Sequence, residues 1–267
     1  MTEEGSWFEV IKHKSYLYVI RERLDKLEPR FYTTYSNLYL ILGKEKALLI
    51  DTGTGLFPLK HLVDNLIENK DLIVLNTHSH FDHRGSNDEF EEIYVHNMEV
   101  KELSEPFDLS FLRESSPKIV KQYDKNNFIL KPAKVIKGIK EGFVFNLGNI
   151  TIKVIHTPGH SPGSITLLTN KKELFTGDTA HYGTMYLPKR KKFPIFIASL
   201  QRMLDLCMQN GIQELFPSHE QFPVGPELLE SLIKGINHII DRWDSKIWDK
   251  FLEGWILDDG NFKYVIE

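Results

Sequence analysis

The chain has 267 residues, 41% of them hydrophobic and 26% charged, with a formal net charge of −4. That length buries a substantial core without covalent staples, and the near-neutral balance argues against bulk electrostatic attraction to nucleic acid or membrane. The one cysteine, Cys207, excludes an intramolecular disulfide and fits a reducing compartment. No apolar run reaches bilayer length, and Met1-Thr2-Glu3-Glu4-Gly5 lacks the basic, then apolar, start of a secretory signal, so a cytoplasmic protein is expected.

Strand signals open the chain. Tyr16–Ile20, Asn37–Leu42 and Ala47–Ile50 are rich in β-branched and aromatic residues. Leu59, Leu62, Val63, Leu66 and Ile67 then fall at helical spacing. A compact apolar strand, Leu72–Leu75, runs into Asn76-Thr77-His78. Residues 101–140 have no clear period and mix Pro and Lys with the exposed-looking aromatics Phe107, Phe111 and Phe128. Strands resume at Ile150–Ile155, Ser164–Leu168 and Glu173–Phe175. A helix over Ile197–Met208 carries Ile197, Leu200, Met203, Leu204 and Cys207 on one face. A second starts at Pro226, and its apolar stripe reads on through Leu229, Ile240, Trp243, Ile247, Phe251 and Trp255. Asp259-Gly260 marks a final hairpin turn. This order predicts an α+β layered domain spanning 1–267, with a helical and hairpin extension at about 226–267.

The chemistry concentrates in His78-Ser79-His80-Phe81-Asp82-His83. In an extended segment His78 and His80 point the same way, and imidazole with carboxylate suits zinc and similar divalent ions. A polar loop is the bland reading of any one such histidine, but four ligand-type groups at this spacing count against it. His160 lies in Thr157-Pro158-Gly159-His160-Ser161-Pro162-Gly163-Ser164, Asp178 in Gly177-Asp178-Thr179, and His219 in Pro217-Ser218-His219-Glu220. Each follows a short strand-like run, as His78 does, and strand exits along one sheet edge are where open α/β folds gather ligands. Taken singly, each is ordinary turn chemistry.

In this order, with Asp51-Thr52-Gly53 ahead of them, these residues resemble the metallo-β-lactamase-fold hydrolases over roughly residues 15–225. The resemblance implies an αββα sandwich with two divalent metal ions at one end, zinc being the expected ion and iron or manganese the alternatives. It implies that His78, His80 and His160 hold one ion, that Asp82, His83 and His219 hold the other, and that Asp178 bridges them. Asp51 would steady the histidine-bearing loop. A bridging hydroxide would attack the substrate, since paired cations bring water's pKa towards neutrality. The absence of a cysteine from every motif, and His80 where a di-iron flavoprotein has glutamate, place the resemblance nearest glyoxalase II, the lactonases, the acyl-coenzyme-A thioesterases and the phosphodiesterases.

A small-molecule thioester or ester is the favoured substrate, with phosphodiester, phosphotriester, lactone or β-lactam hydrolysis as the alternative. A mono-iron sulfur dioxygenase and a non-catalytic metal-binding module stand further back. Neither a membrane nor a nucleic-acid partner is expected, and a homodimer is left open. Asp82, His181 and Tyr182 are candidates for catalytic contact. Lys189-Arg190-Lys191-Lys192 reads either as a phosphate grip or as a solvated loop. Phe107, Phe111, Leu112 and Phe128 read either as an acyl-chain cap or as packing. His13, His61, His96, His156 and His238 match no motif position and read as structural or surface residues.

Overall fold

The computed structural model describes residues 7–267, so the acidic start Met1–Gly5 lies outside the described residues. Two units emerge, the first ending at Thr151 and the second running over Ile152–Glu267.

The first unit is built on a seven-stranded sheet. Its order is Glu9–Lys14, Leu17–Arg23, Tyr35–Leu42, Lys46–Ile50, Asp71–Leu75, Glu92–His96 and Val135–Ile139. The first four strands pair antiparallel and the last four parallel. The switch falls at Lys46–Ile50, because the next connection carries the helix Lys60–Ile67 and returns the chain in the same direction. That helix buries Val63 and Ile67 against Ile20, Leu38, Leu40, Leu49, Val74 and Ile93 of the sheet.

Residues 101–140, unreadable by period, form short pieces around a second cluster. They include a 3-10 turn at Ser110–Glu114 and the helix Pro117–Asp124. Leu109, Leu112, Ile119, Tyr123 and Phe128 pack there on Leu24, Leu27, Leu56 and Phe57. The expectation that Phe128 is exposed is therefore wrong. Its ring is buried, and the Arg113 guanidinium sits 4.4 Å from the ring centre. Phe107 is half-buried, while Phe111 keeps 40% exposure.

The second unit opens within the strand Thr151–His156, which is followed in one sheet by Ile165–Thr169, Glu173–Gly177 and Glu214–Pro217, in that order. The last pair is parallel because the helix Phe193–Asn210 intervenes. That helix buries Phe193, Phe196, Leu200, Met203 and Cys207. Gly211 ends it at φ 63°, a left-handed conformation that glycine adopts without a Cβ clash. The helix Glu227–Asp241 packs on the same cluster through Leu228, Leu229, Leu232, Ile236 and Ile239.

The apolar stripe expected to extend this last helix to Trp255 breaks at Asp241. Beyond a 3-10 turn at Trp243–Ser245, Ile247–Asp249 pairs antiparallel with Gly254–Asp258, setting Ile247 opposite Ile256 and Trp248 opposite Trp255. Apolar residues four apart fit either a helix face or two facing strands, and the β-favouring Ile and Trp decide for strands. The hairpin at Asp259-Gly260 forms as expected, with Asp258 opposite Lys263. Among the described residues no helix is long and apolar enough to cross a membrane.

Candidate metal centre

Parallel pairing places the first four ligand-type residues. Ile50 sits opposite Leu75, so the two strands leave the sheet side by side and Asp51 meets Thr77. The Thr77 amide donates to Asp51 Oδ1 at 2.7 Å and its hydroxyl to Oδ2 at 2.9 Å. Asp51 has φ 64°, a left-handed conformation costing a non-glycine residue about 1–2 kcal/mol. The bonds it gains there offset that cost. Its Oδ2 also lies 2.8 Å from His83 Nδ1, fixing the imidazole as a proton donor on that side.

His83 belongs to a single helical turn, Phe81–Arg84, and its carbonyl accepts from the Thr52 amide at 2.9 Å and from Asn76 Nδ2 at 2.5 Å. The ring centres of His78 and His80 are 4.5 Å apart, and those of His78 and His83 4.1 Å. Ser79 donates its hydroxyl to buried Glu99, which pins the loop between the histidines. Gly85 approaches the 53–55 turn so closely that an added Cβ would lie 2.1 Å from the Thr54 carbonyl carbon.

The second unit repeats the device. Gly177 pairs with Pro217 at the end of a parallel pair, so Asp178 and His219 leave adjacent strands and His219 Nε2 lies 3.1 Å from Asp178 Oδ2. His160 rides on the loop between two antiparallel strands. Its loop is closed by Thr157 N to Ser164 O at 2.9 Å and by Ser161 N to Ser164 Oγ at 3.0 Å, and Ser199 Oγ holds the Pro158 carbonyl at 2.6 Å. His156, expected to be a structural or surface residue, braces the same loop through Nε2 to the Pro162 carbonyl at 2.9 Å. The His181 ring centre is 5.0 Å from that of His219, while Tyr182 stacks on Phe262.

The donor chemistry of both units asks for a cation. His160 Nδ1 faces the Tyr186 carbonyl at 3.0 Å, and a carbonyl only accepts, so the proton sits on Nδ1. In the neutral ring Nε2 then carries a lone pair, and it lies 3.5 Å from the Asp178 carboxylate. His83 repeats this pattern, its Nδ1 held by Asp51 and its Nε2 3.7 Å from Asp82 Oδ1. A lone pair facing a carboxylate in a buried site is repulsive until a proton or metal ion lies between them. His78, His80, Asp82 and His83 of the first unit, and His160, Asp178 and His219 of the second, are all side chains of a kind that can hold a metal. Cys207 is not among them. It is buried in its helix, and burial pushes its thiol up to about 11.

Three supporting residues are absent from the expected site. Glu22, buried, accepts from the Thr54 amide and hydroxyl at 2.8 Å each and from Trp7 Nε1 at 2.7 Å, bracing the turn that holds Asp51. Burial raises its pKa, against the pull of those three donors. Arg84 is buried beside the motif and gives its guanidinium to the carbonyls of Glu102, Leu103 and Glu105. Tyr186 holds His160 through its backbone carbonyl. Only Arg84, contiguous with the histidines, was within reach of sequence reading.

Residues 32–219 match the model of the metallo-beta-lactamase superfamily. The chain belongs to the metallo-β-lactamase superfamily. It is a hydrolase of that superfamily, and its α+β fold is the metallo-β-lactamase fold. Solved structures with this fold include a metallo-beta-lactamase from Pontibacter korlensis, at 16% identity and TM-score 0.63 over 86% of this chain and 99% of that one. The family protein TTHA1429 from Thermus thermophilus gives 18% and 0.62 over 86% and 82%. Among curated relatives, the acyl-coenzyme A thioesterase MBLAC2 of Gallus gallus is 30% identical over 72% of this chain and 76% of its own. Its Homo sapiens counterpart is 28% identical over the same shares. A probable metallo-hydrolase of Methanocaldococcus jannaschii, MJ0888, is 32% identical over 69% and 87%.

Proposed function

We propose that this superfamily member is a cytoplasmic, binuclear metal-dependent thioesterase that hydrolyses acyl-coenzyme-A-like substrates. The observation that carries the metal reading is the repeated opposition of an oriented imidazole Nε2 to a carboxylate, at His83 with Asp82 and at His160 with Asp178. In this reading His78, His80 and His160 would hold one ion, Asp82, His83 and His219 would hold the other, and Asp178 would be shared. Two divalent ions there, zinc first, would supply the acidity that makes hydroxide available near neutral pH and the positive charge that favours an oxyanion.

The chain's own residues do the rest. Asp51 and the Tyr186 carbonyl fix which imidazole nitrogen is basic at His83 and His160. His181 commits Nδ1 to the Tyr182 carbonyl at 2.7 Å, so Nδ1 carries the proton and Nε2 is the basic ring atom. In the neutral ring it accepts a proton, and as imidazolium it returns one to the departing thiolate. Phe81, inside the histidine motif, lies 6.4 Å from Phe107 and 5.6 Å from Phe111 between ring centres. Those rings give the acyl group an apolar wall.

The thioester assignment is supported by the two relatives named acyl-coenzyme A thioesterases. Hydrolysis assays on zinc-loaded protein with acyl-coenzyme A, acyl-glutathione, lactones, β-lactams and phosphate esters test it. Turnover is expected to be fastest on acyl-coenzyme A. Preference for a phosphodiester or a lactone over every thioester would overturn it.

A further inference from the structure

The strand Gly183–Leu187 begins beside His181 and passes Tyr186, whose carbonyl holds His160. It then delivers the chain to Lys189-Arg190-Lys191-Lys192, all four exposed and none in an ion pair among the described residues. Aromatic rings flank this turn. The Arg190 guanidinium lies 4.8 Å from the ring centre of Trp243. The Lys246 ammonium lies 5.3 Å from that of Trp243 and 4.9 Å from that of Trp255. Trp248 meets Trp255 edge-on at 5.2 Å and keeps 49% exposure. Cation and ring alternate from Arg190 through Trp243 and Lys246 to Trp255, and the row ends in an exposed indole. Asp244, next in sequence to Trp243, pairs with none of these cations among the described residues.

We propose that this row of alternating cations and indoles binds the 3′-phosphoadenosine diphosphate head of coenzyme A, with adenine on Trp248 and phosphates on Arg190 and its lysine neighbours. The inference rests on the thioesterase reading and assigns that reaction's head-group site. Each part of the ligand has a counterpart. Adenine offers a π face, which stacks on an indole. The phosphates offer acceptors for charge-assisted bonds, and a guanidinium already laid on an indole is preorganised to give them. Reach is also satisfied. Lys189 lies three positions beyond Tyr186, about 10 Å of extended chain, which a pantetheine arm spans. A single compact ligand fits better than an anionic membrane plane, because Asp241, Asp244, Asp249 and Glu253 are interspersed with the tryptophans and would repel an extended negative surface.

Equilibrium binding to the full-length protein, read by tryptophan fluorescence and calorimetry, tests the site. The probes are coenzyme A, adenosine 3′,5′-bisphosphate and phosphatidylserine vesicles. Both nucleotides are expected to quench the fluorescence. Arg190→Ala combined with Lys191→Ala, and separately Trp248→Ala, should each weaken binding about tenfold or more, with Trp248→Phe restoring part of it. The ratio of kcat/KM for an acyl-coenzyme A to that for the N-acetylcysteamine thioester of the same acyl group should fall by a similar factor in the double variant. Unaltered nucleotide affinity in both variants would overturn the site, as would vesicle binding without nucleotide binding. Thioester turnover by a protein that does not bind coenzyme A would overturn the site and leave the thioesterase reading intact. Variant-sensitive coenzyme A binding by a protein that cleaves no thioester would do the reverse.

Discussion

His160 shows how far the chemistry of a proposed ligand depends on its backbone neighbours. The Tyr186 carbonyl fixes its tautomer, and the Gly159-to-Ser164 loop fixes its position. Asp178 faces the Nε2 atoms of both His160 and His219, at 3.5 and 3.1 Å. Asp178→Ala removes the one carboxylate common to both. Elemental analysis should find at least one metal equivalent lost, and turnover should drop roughly a hundredfold or more. Full metal content with wild-type turnover would show the shared carboxylate to be elsewhere. Cys207 makes the opposite case. Its thiol, buried and pushed up to about 11, stays neutral and shielded at physiological pH. Cys207→Ser should keep full metal content and lower stability only modestly, by about 1 kcal/mol. Loss of a metal equivalent in a folded Cys207→Ser protein would contradict the reading of this residue as core.

Among the elements, close backbone approach decides where the ligand loops sit. Gly85 N donates to Gly53 O at 2.7 Å, and a Cβ on Gly85 would meet Thr54 backbone at 2.1 Å. Backbone cannot swing aside as a side chain can, so Gly85→Ala must push His83 away from Asp51. Unfolding midpoints should show a loss of about 2 kcal/mol or more, accompanied by weaker metal binding. Stability and metal affinity both at wild-type levels would mean that the turn gives way freely. The aromatic wall belongs to this scale too, since Phe111 packs on Phe81 of the motif turn and is 40% exposed. Phe111→Ala should raise KM for long-chain acyl substrates about tenfold and for acetyl substrates little. An equal effect on both chain lengths would reduce Phe111 to a surface residue.

For the molecule as a whole, the strands and the histidine motif were legible because they are local. Leu72–Leu75 running into His78 announces a buried strand and its exit, and His-x-His-x-Asp-His needs no long-range partner to be noticed. Other features depend on residues far apart in sequence. Glu22 reaches Thr54 across 32 residues, and its single carboxylate in a strand has no pattern to betray it. Phe128 is buried although Lys125, Asn126 and Asn127 lead into it, because it shares a cluster with Leu24 and Leu27 and lies against Arg113, none of them close in sequence. The stripe through Ile247 and Trp255 failed for a different reason, since its four-residue spacing serves helix and hairpin alike. The decisive experiment is a titration of zinc into chelator-stripped protein with acyl-coenzyme A turnover as the readout. Activity should climb to a plateau at two equivalents per chain. A plateau at one equivalent, or turnover that persists without metal, would contradict a binuclear thioesterase.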